Sequence, residues 1–222
     1  FGEPLVDLRN ACPHVVLRPG CLPYLRRTVA AMLSRAQDNL PPDYRFTVST
    51  ALRTIEMQSE MYWRAYNRLK EEKPHLPTSA LRRTTNKYYA APDVKAPPGH
   101  TTGGAVDVGL VGPDFSSLDM VAPTRGWEAA YTWSDKIGPE AKRHRLLLTT
   151  ALLDAGFSNC RDEWWHWSYG DNAWAVRTGC GVAVYDRIAP PTGYTFIYRP
   201  QEEEHRVGYR ICGKRAVRTQ WG

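Results

Sequence analysis

The stretch Gly99-His100-Thr101-Thr102-Gly103-Gly104-Ala105-Val106-Asp107-Val108-Gly109-Leu110 runs a glycine pair into an alternating segment. Val106, Val108 and Leu110 recur at every second position, the period of a strand with one face in a core. Upstream, Tyr44, Phe46, Val48 and Thr50 alternate in the same way and predict a second strand, whose end delivers Arg53. Helical spacing flanks it on both sides. Leu25, Val29, Met32, Leu33, Ala36 and Leu40 recur at intervals of three and four between residues 21 and 40, before the stop at Pro41-Pro42. Met57, Met61, Tyr62, Ala65, Tyr66 and Leu69 do so from residue 54 to about 72, ahead of Pro74, and this helix holds Gln58 in its first turns.

Residues 74–98 are rich in Pro, Thr, Lys and Arg with little periodicity and read as a long loop able to wall an active site. Residues 139–155 predict a helix with Leu146, Leu147, Thr150 and Leu153 inward and Gly156 as its C-terminal cap. Short β-like segments follow at 164–169, 182–185 and 194–198, between Gly and Pro turns. No repeat or low-complexity tract occurs. Helices and strands without regular βαβ alternation predict an α+β fold: a small antiparallel sheet flanked by helices. One domain over residues 1–222 is expected, with 171–222 as a C-terminal extension.

The 222 residues, 42% apolar and 11% aromatic, suffice for one full-sized core. No run of about 18 apolar residues exists, which predicts no membrane span, and Phe1-Gly2-Glu3-Pro4 lacks the layout of a secretion signal. The net charge of +6 is scattered. Its densest stretch, Lys214, Arg215 and Arg218 with Arg206 and Arg210 upstream, reads as a solvated tail face rather than a nucleic-acid site. Cys12, Cys21, Cys160, Cys180 and Cys212 form no C-x-x-C pair, so they do not read as metal ligands. Their odd number fits a reducing compartment, or one or two disulfides with a thiol left over.

Two segments carry the chemistry: Gly99 to Asp107, and Asp162-Glu163-Trp164-Trp165-His166-Trp167. Each sets a histidine near a carboxylate, which taken alone is most often a hydrogen-bonded pair. Together they supply a catalytic zinc set. Such a site takes about three protein ligands and keeps one position open, and His100, Asp107 and His166 offer two imidazoles and a carboxylate. The glycines permit the bend that turns His100 and Asp107 onto one ion. Glu163, three residues before His166, stands as a general base beside the metal without needing to be a ligand.

On these residues the chain resembles the zinc D-alanyl-D-alanine dipeptidases of the VanX type, within the wider zinc D,D-peptidases. The first segment is similar to the family pattern Ser-x-His-x-x-Gly-x-Ala-x-Asp, and the second to Glu-x-x-His in its Glu-Trp-Trp-His form, which favours the dipeptidase branch. Arg53, with Gln58 five residues on, resembles the Tyr-Arg-Pro-x-x-x-Gln segment. The resemblance implies a zinc D,D-peptidase/Hedgehog-type fold, one zinc ion on His100, Asp107 and His166, Glu163 as catalytic base, and Arg53 beside the scissile carbonyl. It implies a small peptide as substrate and a bacterial setting, cytoplasmic or periplasmic and exported.

The departures bear on substrate. Pro98 stands where the pattern begins with Ser, and Leu52 and Thr54 replace Tyr and Pro around the arginine. For the acidic residue that grips the substrate ammonium in the family, Glu128 is the best candidate. Two other readings share these residues: a D,D- or L,D-carboxypeptidase trimming peptidoglycan stems, and a non-catalytic zinc- or cell-wall-binding module. The presence of all three ligands, Glu163 and Arg53 weighs against the second.

Overall fold

The computed structural model describes residues 2–195; the basic stretch at 206–218, Cys212 and most of the expected strand at 194–198 lie outside them. The central sheet has five strands in the order β2-β4-β5-β7-β6. These are β2 (Val16–Leu17), β4 (Arg45–Thr50), β5 (Ala105–Val111), β6 (Ser158–Asn159) and β7 (His166–Ser168). Every pair is antiparallel except β2 with β4. A two-stranded sheet, β1 (Leu5–Asp7) with β3 (Tyr24–Arg26), stands beside it, with the short helix α1 (Leu8–Ala11) between them in the chain.

Alternation along the strands separates the sheet's two faces. Phe46, Val48, Val106, Val108, Leu110 and Trp167 join the main core, together with Val29, Met32, Leu33 and Ala36 of α2 (Arg27–Asp38) and Leu148, Ala151 and Leu152 of α6 (Pro139–Asp154). Residues of odd number in β5 and even number in β7 therefore face the other way. On that second face the register sets Asp107 opposite His166, with Thr50 on the other flank of Asp107. The functional face is thus the side of the sheet that α2 and α6 leave open.

The mixed α+β architecture agrees with the sequence reading, while several elements differ in detail. The first helix begins at Arg27 rather than near residue 21, because Leu5, Val6 and Asp7 pair with residues 24–26 and hold them extended. The expected loop at 74–98 contains a helix, α4 (Thr78–Thr85). Its Leu81 packs with Tyr66 and Leu69 of α3 (Ile55–Glu72), and Arg82 forks onto Asp93 at 2.7 and 2.9 Å. Threonines, poor helix formers in isolation, hid this element. Residues 182–185 form no strand.

Helix α6 carries the largest correction. Leu146 and Leu153 are 56% and 50% exposed and Thr150 is exposed, whereas His144, Arg145, Leu148, Thr149 and Leu152 face inward. The true face includes two polar residues that cap loop carbonyls. His144 Nδ1 meets Asp119 O at 2.7 Å, and the Arg145 guanidinium donates to Met120 O, Ala129 O and Tyr131 O. Burying the His144 and Arg145 donors is tolerated because they find these carbonyls. The expected cap is present: Gly156 adopts φ +96° just past the helix end.

This face assignment has a direct test. Leu152→Ala, at a fully buried site, should cost about 2–5 kcal/mol in urea unfolding. Leu153→Ala, half exposed, should stay within about 0.5 kcal/mol of the parent. Equal losses at the two positions would contradict the orientation of α6.

Candidate metal centre and active site

His100 sits in a 3-10 turn, Gly99–Thr102, that leads into β5. Hydroxyls lock the turn: Thr101 Oγ1 donates to Pro98 O at 2.7 Å, Thr102 Oγ1 donates to Gly99 O at 2.6 Å, and Gly104 N donates back to Thr102 Oγ1 at 3.0 Å. Gly103 ends the turn at φ +70°, a left-handed conformation that favours glycine. At Gly104 the constraint is space, since a Cβ would lie 2.7 Å from Tyr169 O. The glycine pair thus turns the chain from the His100 loop into the strand that carries Asp107.

The third side chain arrives through sheet register. His166 Nδ1 lies 2.9 Å from Asp107 Oδ1, His100 Nε2 lies 3.2 Å from the same oxygen, and the two ring nitrogens are 3.2 Å apart. Tetrahedral ligands at 2.0–2.1 Å from zinc would stand ~3.3 Å from one another, so this triangle has the dimensions of a shared ion. Tautomer chemistry points the same way. His100 Nδ1 is 3.0 Å from Ala51 O, a carbonyl that can only accept, so Nδ1 carries the hydrogen and Nε2 presents a lone pair. The His100 lone pair, a ring nitrogen of His166 and a carboxylate oxygen, brought together, form a donor set that a divalent cation fits.

Electrostatics follow from burial and closeness. Burial lowers the His100 pKa against the opposing pull of Asp107. Burial also works to raise that of Asp107, but the adjacent His100 and His166 outweigh it and hold the group ionised, well below the usual carboxylate range. Burial opposes the charged form of His166, and its hydrogen bond to Asp107 overrides this and raises the pKa.

Arg53 and Glu163 both lie close enough to this triad to act on it electrostatically. Ala51 to Arg53 follow β4 and grip His100 twice, through Ala51 O on its ring and through Arg53 N donating to His100 O at 3.1 Å. Arg53 Nη1 donates to Gln58 Oε1 at 2.9 Å, and Gln58 Nε2 donates to Ala90 O at 2.7 Å. Glu163 lies in a tight turn, its N–H on Cys160 O and its carbonyl accepting from His166 N. Burial raises its pKa, partly offset by His166 and Arg53. A half-buried carboxyl of this kind can exchange a proton next to the triad without joining the three converging atoms.

The other expected residues separate. Trp167 is wholly buried in the core, while Trp164 and Trp165 stack edge to face with centroids 5.5 Å apart. Glu128 lies exposed on the short helix α5 (Trp127–Ala130), outside the metal cluster. Two contributions escape sequence reading. The Ala51 carbonyl that fixes the His100 tautomer leaves no side-chain signature, and the tie from Gln58 to Ala90 becomes visible only once residues 86–98 are placed. Residues beyond 171 also back the site: Tyr185 is buried in the core, Ile188 N donates to Thr101 O at 3.0 Å, and Arg26 Nη2 donates to Asp186 O at 2.9 Å.

Residues 42–186 match the peptidase family described as D-ala-D-ala dipeptidase (Peptidase_M15). The chain belongs to this family. It is a zinc-dependent metallopeptidase with the family's dipeptidase character and an α+β fold. A D-alanyl-D-alanine dipeptidase of Synechocystis sp. is 27% identical over 210 residues, covering 78% of this chain and 85% of the relative. Among solved structures, VanYB in complex with D-alanine-D-alanine has a TM-score of 0.45 at 15% identity, covering 83% of this chain and 87% of its own. The vancomycin resistance D,D-pentapeptidase VanY of a VanB-type cassette, in complex with Zn(II), has a TM-score of 0.44 at 15% identity, covering 83% and 88%. No helix among the described residues is long and apolar enough to cross a membrane.

A site of this kind couples metal to stability. Any ion that binds only the folded chain stabilises it, by about 4 kcal/mol at a thousand-fold excess over Kd. Chelation of the zinc-loaded protein should lower its Tm, and added zinc should restore it. His166→Ala should abolish the zinc-dependent part of the shift; an unchanged shift in that variant would remove His166 from the coordination set.

Proposed function

We propose that the protein hydrolyses D-alanyl-D-alanine or a closely related small peptide in bacterial cell-wall metabolism, with zinc on His100, Asp107 and His166, Glu163 as general base and Arg53 as electrostatic helper. The observation that carries this reading is the triangle of 2.9, 3.2 and 3.2 Å among the three ligand atoms, flanked by an acid and a cation that both act on it. Zinc held there supplies Lewis acidity toward the peptide carbonyl and the attacking water. Glu163 takes a proton from that water as its oxygen bonds to the carbonyl carbon. Arg53, fixed by Gln58, faces the negative charge that grows on the carbonyl oxygen. Glu163 then hands the proton to the amine nitrogen as the carbon–nitrogen bond breaks, releasing two amino acids.

A short substrate is supported by the rim. The 86–98 segment is tied to Arg53 through Gln58 and Ala90, and α5 is tied to the Glu163 turn by Trp164 N donating to Ala130 O at 2.9 Å. Between these two flanks Tyr88 meets Trp127 edge to face, centroids 5.6 Å apart. Glu128, adjacent to Trp127, is the proposed partner for a substrate ammonium. We read residues 1–222 as one peptidase domain with 171–222 as a C-terminal extension, whose Ile188 N supports the His100 turn through Thr101 O.

Glu163→Ala should keep zinc and lose nearly all turnover on D-Ala-D-Ala in a ninhydrin assay, and Arg53→Ala should lose on the order of 100-fold or more in kcat. Full activity in the Glu163 variant would remove that residue from the chemistry. Offered D-Ala-D-Ala, a pentapeptide stem and L-Ala-L-Ala, the protein should cut the first fastest. Faster cleavage of the stem would instead make it a carboxypeptidase.

A further inference from the structure

Asp171 is fully buried where β7 passes into α7 (Asn172–Thr178). Its Oδ1 accepts from Ser168 Oγ at 2.8 Å and from Trp174 N at 2.6 Å, which closes the first turn of the helix. Its Oδ2 is equally buried and has no hydrogen-bond partner. That oxygen abuts Gly99 so closely that a Cβ there would collide with it. Gly99 immediately precedes His100, and Ser168 shares the face of β7 that carries His166. One carboxylate is therefore wedged between the two segments that bear the imidazoles.

Helix capping does not account for this arrangement. A cap uses one oxygen, and asparagine or serine supplies it as well. A second anionic oxygen buried without a donor carries a heavy desolvation penalty unless positive charge lies near. Arg177 Nη2 donates to the Ser168 hydroxyl at 2.6 Å, on the Oδ1 side of the carboxylate. The opposite side faces the histidine loop, where Oδ2 abuts Gly99 beside His100. A divalent ion on the His100–Asp107–His166 triad would offset the buried anion.

We infer that Asp171 is a positioning residue of the zinc centre: its carboxylate wedges the Gly99–His100 turn against β7 and supplies the negative charge behind the ligands that strengthens metal binding. This rests on the ligand assignment made above. Outer-shell partners of ligating histidines commonly alter metal affinity by 10–100-fold when changed.

The test compares Asp171→Asn with the parent by zinc competition against a chromophoric chelator and by urea unfolding of both apo proteins. Asparagine keeps the shape and the cap and removes the charge. Zinc affinity should fall roughly 10–100-fold, while the apo variant unfolds at the same or a higher urea concentration, because an unpaired anion has left the interior. Unchanged affinity, or a loss of affinity matched by a loss of apo stability, would overturn the inference. Should the variant fail to fold, Gly99→Ala carries the test: it keeps the charge but displaces the wedge, and unaltered zinc affinity there would overturn the inference equally. His166→Ala distinguishes the underlying assignment. If that variant retains zinc, the ligand reading fails and this inference with it; if it loses zinc while Asp171→Asn does not, only the inference fails.

Discussion

Three potential ligand atoms face one another in the interior of this protein, and the rest of the architecture depends on reconciling them. Two imidazole nitrogens and a carboxylate oxygen lie within 3.2 Å of each other, and because the His100 ring has committed its hydrogen to the Ala51 carbonyl, the lone pair on its Nε2 faces the carboxylate. A cation resolves the conflict. The desolvation that makes the cluster costly when vacant is the same factor that makes it a strong site when filled.

The fold assembles this cluster by three independent devices. Antiparallel register sets Asp107 across from His166, a constraint that a one-residue slip of either strand would destroy by turning that strand's side chain toward the core. A hydroxyl-locked turn ending in a left-handed glycine delivers His100. The strand on the other flank of β5 delivers Arg53 and the carbonyl that orients His100. The hydrophobic core on the opposite face, built on Trp167 and the valines of β5, holds the register that all three devices require.

Much of this was legible in the sequence because the physics is local. Period-two alternation exposes β4 and β5, and the glycine pair marks the bend before Asp107. The spacing of Glu163 and His166 suits the tight turn that joins them. Other parts were hidden because they rest on tertiary partners. The inward face of α6 contains an arginine that donates to carbonyls more than ten residues away, so an apolar stripe drawn through Leu146 and Leu153 points the wrong way. Helix α4 is carried by Leu81 against α3 rather than by its own threonine-rich sequence. Asp171 carries no motif, and its meaning emerges only from its contact with Gly99.

Two imidazoles and one carboxylate from distant parts of the chain are proposed to share a single zinc ion. Zinc K-edge X-ray absorption on the stoichiometrically loaded protein addresses it most directly. The expected spectrum has nitrogen and oxygen neighbours at about 2.0–2.1 Å, outer-shell scattering of two imidazole rings and no sulfur. A sulfur shell near 2.3 Å, or scattering from a single imidazole, would contradict it.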